Sequence, residues 1–203
     1  DIDTSSSFCG TATVLGAWSL MVFYEEASLP ASTINLYYGF DITQNAGTSF
    51  TLDSFYAISP TGSTATFLSY EGDATLDGSS GGSTNPEELS ITNEGGTNFI
   101  LSGDGGQTGN NAYNSTIYHE TAGVNSSDIH GLDLDTYDIS SFIGSGDSEV
   151  TANVDVGQDL VISSAVVIRV PSNLISGTVF EDINYPGGAG RNQATASGVG
   201  VEN

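Results

Sequence analysis

The sequence predicts an all-β protein built as an antiparallel β-sandwich, Ig-like or jelly-roll-like, with long Gly/Ser-rich loops and an extended C-terminal tail. Short apolar or alternating segments recur about every 10–15 residues with turn residues between them, which is typical of strands joined by turns. No segment keeps a helical period over about ten residues or more. At 203 residues, of which 37% are hydrophobic, a single sandwich core is the natural expectation.

The strongest strand signal lies in residues 18–40, where two apolar stretches, 18–24 and 34–40, flank a polar turn that contains Pro30. Both stretches are short, rich in aromatic residues and bounded by turn residues, which favours strands over helices. Because apolar side chains fall on both faces, we expect a hairpin or strand pair at the centre of the core, with Trp18 buried. A sugar-stacking platform of exposed rings is the alternative.

Further strands are expected along the rest of the chain from period-two alternation. Their ranges are 48–58, 64–70, 89–92 paired with 98–101, 115–118, 129–141, 149–156 and 159–170. In 48–58 the residues expected on one side are Phe50, Leu52, Tyr56 and Ile58. In 149–156 the inward residues are expected to be Val150, Ala152, Val154 and Val156. In 159–170 the residues expected to align are Leu160, Ile162, Val166, Ile168 and Val170.

The formal net charge is −23, from 25 acidic residues against Arg169, Arg191 and no lysine. The absence of lysine excludes a P-loop and a Schiff-base site, and the charge repels nucleic acid and anionic membranes. Divalent cations are attracted instead. Cys9 is the only cysteine, so no disulfide forms within the chain. No apolar run is long enough to insert into a membrane.

Composition divides the chain into a flexible N-terminal segment, 1–10, a β-sandwich domain, 11–171, and residues 172–203. The last range is expected to hold a short strand followed by a Gly-rich tail or the start of a second module. The first residues, DIDTSSS, are compatible with a processed, exported protein. Two Gly-rich stretches, 71–88 and 103–111, are expected to be long surface loops.

A D-x-D-x-x-D cluster is the first candidate metal site, formed by Asp133, Asp135 and Asp138. Calcium takes six to eight oxygen ligands, so clustered carboxylates in an acidic protein are a candidate Ca²⁺ site. In a strand, however, Asp133 and Asp135 share a face and Asp138 points away. Solvated carboxylates are therefore the alternative.

The loops and turns supply two other kinds of candidate position. Asp73 and Asp77 in the first loop, with Asp104 in the second, are a further possible cation site, again weighed against solvated carboxylates. Asn114 and Asn125 each begin an N-glycosylation triplet.

Catalytic patterns are weak. His119 and His130 are the only histidines, and no G-x-S-x-G nucleophile elbow accompanies them. Acidic residues are spread along the whole chain, so a pair of carboxylates carries no specific signal. We expect a protein that is not an enzyme.

Two stretches resemble known families. WSLMVFYEEASLPASTINLYYGFDI, with its Trp-x-Leu-x-Val-x-Tyr-Glu and Leu-Tyr-x-Gly-Phe patterns, resembles repeat domains of large bacterial surface and exported proteins. GLDLDTYDIS and DLVISSAVVIRV resemble the closing half of the same modules, so the resemblance covers most of 15–171. SGTVFEDINYPGGAGR resembles the opening of a B-type repeat of the collagen-adhesin and Sdr kind. The resemblance implies an extracellular β-sandwich without catalytic residues.

These observations predict a secreted or cell-surface structural protein, a building block of a filament, sheath or adhesin. Its partners are expected to be copies of itself or neighbouring surface-protein modules, without nucleic acid and without membrane insertion. Assembly by β-strand addition is expected through 159–170 or 176–183, with the N-terminal residues as an alternative. The candidate self-assembly residues are Leu160, Ile162, Val166, Ile168, Val179 and Phe180. The alternative function is a calcium-dependent carbohydrate- or surface-binding module.

Overall fold

A computed structural model describes residues 18–78, 84–103, 108–127 and 131–172, and these ranges form ten strands and no helix. The all-β class predicted from the sequence is therefore confirmed for the described part of the chain. The strands are β1 Ser32–Thr43, β2 Ala46–Leu52, β3 Thr64–Gly72, β4 Glu88–Asn93, β5 Asn98–Ile100, β6 Ile117–His119, β7 Val124–Ser126, β8 Gly131–Asp138, β9 Val150–Val156 and β10 Val161–Pro171.

The strands form two sheets, with the orders β1-β10-β3-β8-β6-β7 and β2-β9-β4-β5. Neighbours are antiparallel except β6 and β8, which run parallel. One hydrophobic core takes side chains from both sheets, among them Phe67 and Val166 from the first and Ile91 and Val154 from the second. This arrangement is consistent with a β-sandwich.

All ten strands lie inside the range 11–171 predicted as the sandwich domain. The predicted flexible segment 1–10 lies outside the described residues. The same holds for residues 173–203, which make up nearly all of the predicted tail.

Strand β9 and the β4–β5 hairpin agree with the sequence prediction. Val150, Ala152, Val154 and Val156 are 0–1% exposed, which confirms the inward face of β9. Strand β4 pairs with β5, and the Leu101 N–H extends this hairpin by donating to the Leu89 carbonyl at 2.8 Å. On β9 and β4 the apolar residues lie on one face, so alternation identifies the buried face there, whereas on β5 the adjacent Ile100 is 51% exposed.

The expected core hairpin at 18–40 is wrong. Residues 18–25 belong to no strand, and Trp18 is 86% exposed. Residues 34–40 do form a strand, but β1 lies at the end of its sheet rather than at the centre. The inner face of β1 carries Asn35, Tyr37, Gly39 and Asp41, so the apolar residues between them point away from the core.

The expected alignment in 48–58 is also only partly correct. Phe50 and Leu52 are buried on β2, whereas Tyr56 and Ile58 are 61% and 47% exposed. The strand ends at Leu52, and Ser54 follows with a positive φ of 67°. This turn shifts the inward positions by one residue, so Phe55 and Ala57 are buried instead.

Strand β10 departs from simple alternation in a similar way. Its register against both neighbours shifts beyond Ser163, where a bulge interrupts the ladder. Val166, Ile168 and Val170 face the main core, whereas Ile162 belongs to a smaller cluster on the opposite face. The five residues expected to align are therefore divided between two faces by the bulge.

Candidate functional site

Strand β1 is the terminal strand of the six-stranded sheet. It pairs with β10 from Ser32–Pro171 to Thr43–Val161, and no other described strand pairs with it. The second edge of such a strand presents backbone N–H and C=O groups to which another strand can add. Within the described ranges, β1 is therefore a place where this sheet can be extended.

The outer face of β1 is apolar along its whole length. We call its five exposed residues the β1 stripe: Ile34 45%, Leu36 40%, Tyr38 75%, Phe40 67% and Ile42 62% exposed. The inner face is anchored by Tyr37, whose ring lies 3.9 Å from that of Phe50, centroid to centroid, and whose hydroxyl donates to Asp41. This anchoring directs the stripe outward.

Residues 18–31, here called the leading segment, precede β1 and add to this apolar surface. Five large apolar side chains of this segment are 58–86% exposed, although their spacing in the sequence is that of a strand. They are Trp18, Leu20, Val22, Phe23 and Tyr24. Met21 is different, because it packs against the cluster of Leu68, Tyr70, Ile162 and Ala165 on the outer face of the sheet. One side chain therefore holds the segment to the sheet while its neighbours face solvent.

A groove of about 960 Å³ lies between the leading segment and the outer face of the sheet. The sheet residues that line it are Ile34, Thr64, Thr66, Val167 and Arg169. Eleven of the fifteen exposed large hydrophobic side chains in the described ranges fall within 18–42. Exposed apolar surface that is concentrated in this way marks an interaction site rather than ordinary surface.

A second unusual feature lies inside the sandwich, where four carboxylates are buried. Glu87, Asp133, Asp135 and Asp159 are 0–3% exposed. Alternation places three of them there, because Glu87 continues the inward face of Leu89 and Ile91, and the two β8 aspartates share the inward face of Tyr137.

Burial raises the pKa of each of these carboxyl groups, because it penalises the charged form. The pKa rises to about 7 for Glu87 and Asp133, to about 8 for Asp135 and to about 6 for Asp159. Hydrogen bonds from backbone N–H groups lower the pKa of two of these carboxyl groups. The Thr116 N–H donates to Asp133 Oδ1 at 3.2 Å, and the Asp73 N–H donates to Asp159 Oδ2 at 2.8 Å. These bonds do not offset desolvation and mutual repulsion.

The predicted cluster of Asp133, Asp135 and Asp138 is not gathered around one point. Asp138 lies on the other face at the end of β8, where its Oδ1 accepts from the Ser140 N–H at 2.8 Å. Among the described residues, no three Asp, Glu, His or Cys side chains converge closely enough to hold a metal ion. Solvated carboxylates, the alternative, do not describe Asp133 and Asp135 either, since both are buried.

The candidate self-assembly residues of β10 lie in the interior of the sheet. Val166 and Ile168 are 1% and 0% exposed, and Ile162 is 7% exposed, while Leu160 packs against the outer cluster. Both edges of β10 are already paired, with β1 and with β3, so an incoming strand has no free edge there. Among the described strands of this sheet, β1 is a terminal strand and β10 is not. Val179 and Phe180 lie outside the described residues.

Of the remaining predicted positions, the structure describes Asn114, Asn125 and His119. The side chain of Asn114 is 7% exposed and its Oδ1 accepts from Thr116 at 2.6 Å, whereas Asn125 is exposed on β7. His119 Nδ1 accepts from the Ala122 N–H at 3.2 Å in a local turn. His130 lies outside the described residues.

Sequence reasoning missed Glu87 and Asp159 as buried groups. The signal for Glu87 was present, because it stands two and four residues before the buried Leu89 and Ile91. For Asp159 no such signal existed: it lies in the turn before β10 and is buried because the Asp73 backbone packs onto it.

No family model, no curated protein and no solved structure matches this chain. Within the described ranges there is also no helix of the length and apolarity needed to cross a membrane.

Proposed function

We propose that this chain is a non-enzymatic structural subunit of a secreted or cell-surface assembly, a filament, sheath or adhesin, whose copies join by β-strand addition. The subunit is an Ig-like or jelly-roll-like sandwich. The proposal depends on one observation: within the described ranges one edge of β1 has no strand partner, and it adjoins an exposed apolar segment at 18–24 that belongs to no strand. Strand addition needs these two parts, an acceptor edge and a donor strand.

The exposed surface is large enough for a specific interface. Trp18, Tyr24, Tyr38 and Phe40 are 67–86% exposed. Aromatic side chains of this size bury roughly 150–250 Å² each, so these four alone offer about 450–750 Å². Because two of these rings lie on the donor segment and two on the acceptor strand, their sum is compared with the total area of a standard protein–protein interface, about 1,600 Å² over both partners. The aliphatic residues of the stripe and leading segment supply the rest.

A second copy of the same chain is the partner that this surface fits. The donor strand and the acceptor edge are different parts of the chain. Each copy can therefore place its leading segment against β1 of one neighbour and accept the leading segment of a second neighbour at its own β1. Such a heterologous contact builds an open chain of subunits when the rotation does not close. The net charge of −23 opposes this association at low ionic strength, so added salt is expected to favour it.

The decisive experiment compares Tyr38→Asp with Tyr56→Asp by sedimentation velocity and electron microscopy. Both tyrosines are exposed, at 75% and 61%, but only Tyr38 lies on the stripe. We expect wild type and Tyr56→Asp to sediment as assemblies and Tyr38→Asp to sediment as a monomer. The proposal is wrong if wild type sediments as a monomer at all concentrations, or if Tyr38→Asp assembles as wild type does. Assembly only with another surface protein would replace the second copy by a neighbouring module.

One observation favours the alternative, a carbohydrate- or surface-binding module. The outer face of the four-stranded sheet carries a shallow polar groove of about 440 Å³, lined by Ser49, Ser90, Thr92, Asn98 and Asn153 among others. Exposed Trp18 and Tyr38 are also what a sugar-stacking surface requires. A glycan array with hits that Tyr38→Asp removes, from a chain that sediments as a monomer, would favour this alternative.

A further inference from the structure

Arg169 is the only Lys or Arg in the described ranges, and it lies on the outer face of the sheet that carries the β1 stripe. On β10 it stands directly opposite Ile34, the first residue of the stripe. Its Nη1 donates to the Gly62 carbonyl at 2.9 Å, and no carboxylate of the described residues forms an ion pair with it. A cation without an ion-pair partner beside an exposed apolar strand attracts an acidic side chain of a partner.

Asn35, the next residue of β1, points to the inner face and has an unused donor. Its Nδ2 is buried and makes no hydrogen bond. A buried N–H group without an acceptor is costly. Because one edge of β1 has no strand partner within the described ranges, an acceptor can come from a strand added there. The start of β1 therefore offers a cation on the outer face and an amide donor on the inner face.

The leading segment carries two adjacent acids that match these two groups. Glu25 and Glu26 follow its apolar residues and are exposed. In an extended strand, Glu26 shares a face with Val22 and Tyr24, whereas Glu25 lies on the other face. When Val22 and Tyr24 cover the stripe, Glu26 is therefore also on the outer face and Glu25 is on the inner face.

We propose that the leading segment of a neighbouring copy adds antiparallel to β1 in one register, with Glu25 opposite Asn35 and Glu26 opposite Ile34. This inference rests on the assembly proposed above and names its strand direction and register. Glu25 then supplies the acceptor that the Asn35 amide lacks. Glu26 lies two strand spacings from Arg169, about 9–10 Å between backbones, which the two long side chains bridge across Ile34.

The other pairs of this register are apolar. Tyr24 falls opposite Leu36 and Val22 falls opposite Tyr38, before the shift that β1 makes against β10 beyond Tyr38. Because opposite residues on one face of an antiparallel pair are in contact, both pairs cover exposed stripe surface.

A parallel donor does not satisfy these conditions together. If it covers the stripe with Trp18 opposite Ile34, Glu25 stands opposite Asp41, and like charges directly opposite each other are destabilising. If it places Glu25 opposite Asn35 instead, its first apolar residues extend past the start of β1 and leave the stripe uncovered.

The donor is a second copy because the chain turns between the leading segment and its own β1. The Leu29 N–H donates to the Glu26 carbonyl at 2.9 Å, which closes a turn over residues 26–29. The same register within one chain would place Ser28 opposite Ser32, so this turn would have to open into a strand. A neighbour's segment, paired up to Glu26, requires no such change.

Disulfide trapping tests the register in the full chain with Cys9→Ser. Tyr24→Cys is mixed and oxidised with Leu36→Cys in one sample and with Phe40→Cys in another, so each copy carries one cysteine and a mixed disulfide joins two copies. In the proposed register the Cα atoms of Tyr24 and Leu36 are about 4.5–5.5 Å apart, within disulfide range, whereas Phe40 is about 13 Å further along β1. We expect the first mixture to give about tenfold more mixed disulfide than the second.

The outcomes separate this inference from the proposed function. Equal yields, or a larger yield with Phe40→Cys, from chains that sediment as assemblies overturn the register and leave strand addition in place. A wild-type chain that sediments as a monomer overturns both. A chain carrying both Tyr24→Cys and Leu36→Cys that forms the disulfide only within one copy overturns the choice of a neighbour as donor.

A charge exchange tests the contact with Arg169. Glu26→Arg and Asp53→Arg change the net charge equally, but Asp53 is exposed beyond the end of β2. By sedimentation velocity, we expect Glu26→Arg to weaken association about fivefold, and Asp53→Arg to leave it unchanged or stronger because net repulsion falls. The combined Glu26→Arg and Arg169→Glu variant is expected to recover association. Equal association of Glu26→Arg and Asp53→Arg, or no recovery in a folded combined variant, overturns the contact.

Discussion

The outer face of β1 and the inner face of β8 reverse the usual distribution of polarity. The β1 stripe exposes five apolar side chains, whereas β8 buries Asp133 and Asp135 at 2% and 1% exposure. Both strands belong to the same sheet, separated by β10 and β3. Each arrangement is unfavourable for an isolated chain in neutral water, because apolar surface is hydrated and charge is desolvated.

The two arrangements differ in what removes their free-energy cost. The cost of exposed apolar surface is removed by covering it, and in the function proposed above a second copy of the chain covers the stripe. A buried carboxyl group is relieved by holding a proton, which requires no partner at all. The outer face therefore concerns assembly and the inner face concerns stability as a function of pH. The two regions are tested by different variants.

The largest expected effect comes from the inner face and concerns pH. The folded chain keeps protons on Asp133 and Asp135 that the unfolded chain releases near pH 4, since their pKa values are about 7 and about 8. These two groups therefore contribute all of their stabilisation below about pH 4. The free energy of unfolding then falls by several kcal/mol as the pH rises to about 8. Urea denaturation of the monomer in chelator, from pH 4.5 to 8.5, measures this. Stability that rises over that range contradicts the buried-acid account.

A smaller effect is expected from removing side-chain packing on the buried and the exposed face of the sheet. Ile168 is 0% exposed and Ile42 is 62% exposed. We expect Ile168→Ala to lower the free energy of unfolding by about 2–5 kcal/mol, because it leaves a cavity. Ile42→Ala is expected to change the unfolding free energy of the monomer by less than about 0.5 kcal/mol. Comparable losses in urea denaturation would show that the stripe is covered within the monomer.

Replacing one buried acid sharpens the comparison further. Asp135→Asn cannot ionise, so we expect it to raise the free energy of unfolding by about 1–3 kcal/mol at pH 8 and by clearly less at pH 5. Glu149→Gln, at an exposed position before β9, serves as the control that removes the same charge. An equal gain from both variants would assign the effect to net charge instead of burial.

Sequence alternation identified the faces of most strands but not always which face is buried. On β9 the choice was simple, because Val154 and its neighbours alternate with polar residues. On β8, Leu132 and Leu134 alternate with Asp133 and Asp135, so hydrophobicity alone would bury the leucines. The structure buries the aspartates, because Tyr137 on their face joins the main core. That choice depends on contacts with distant strands, which local sequence does not contain.

The same limit explains the error at residues 18–40. From its sequence alone, an apolar strand such as β1 is predicted to be central. Its position at the end of the sheet follows from pairing with β10, in which Thr43 and Val161 are 118 positions apart in the chain. The contact between Glu87 and Asp159 could not be predicted either, since these residues are 72 positions apart and meet only through the fold.

The central claim is that the β1 stripe and leading segment form the interface between copies, and Trp18 reports on it directly. This only tryptophan of the chain is 86% exposed in the single subunit. Its emission and acrylamide quenching should be recorded across a concentration series, alongside the sedimentation coefficient. We predict that emission shifts to the blue and quenching falls as the assemblies grow. Assemblies that grow while Trp18 stays fully quenchable, or a chain that never assembles, would contradict the account.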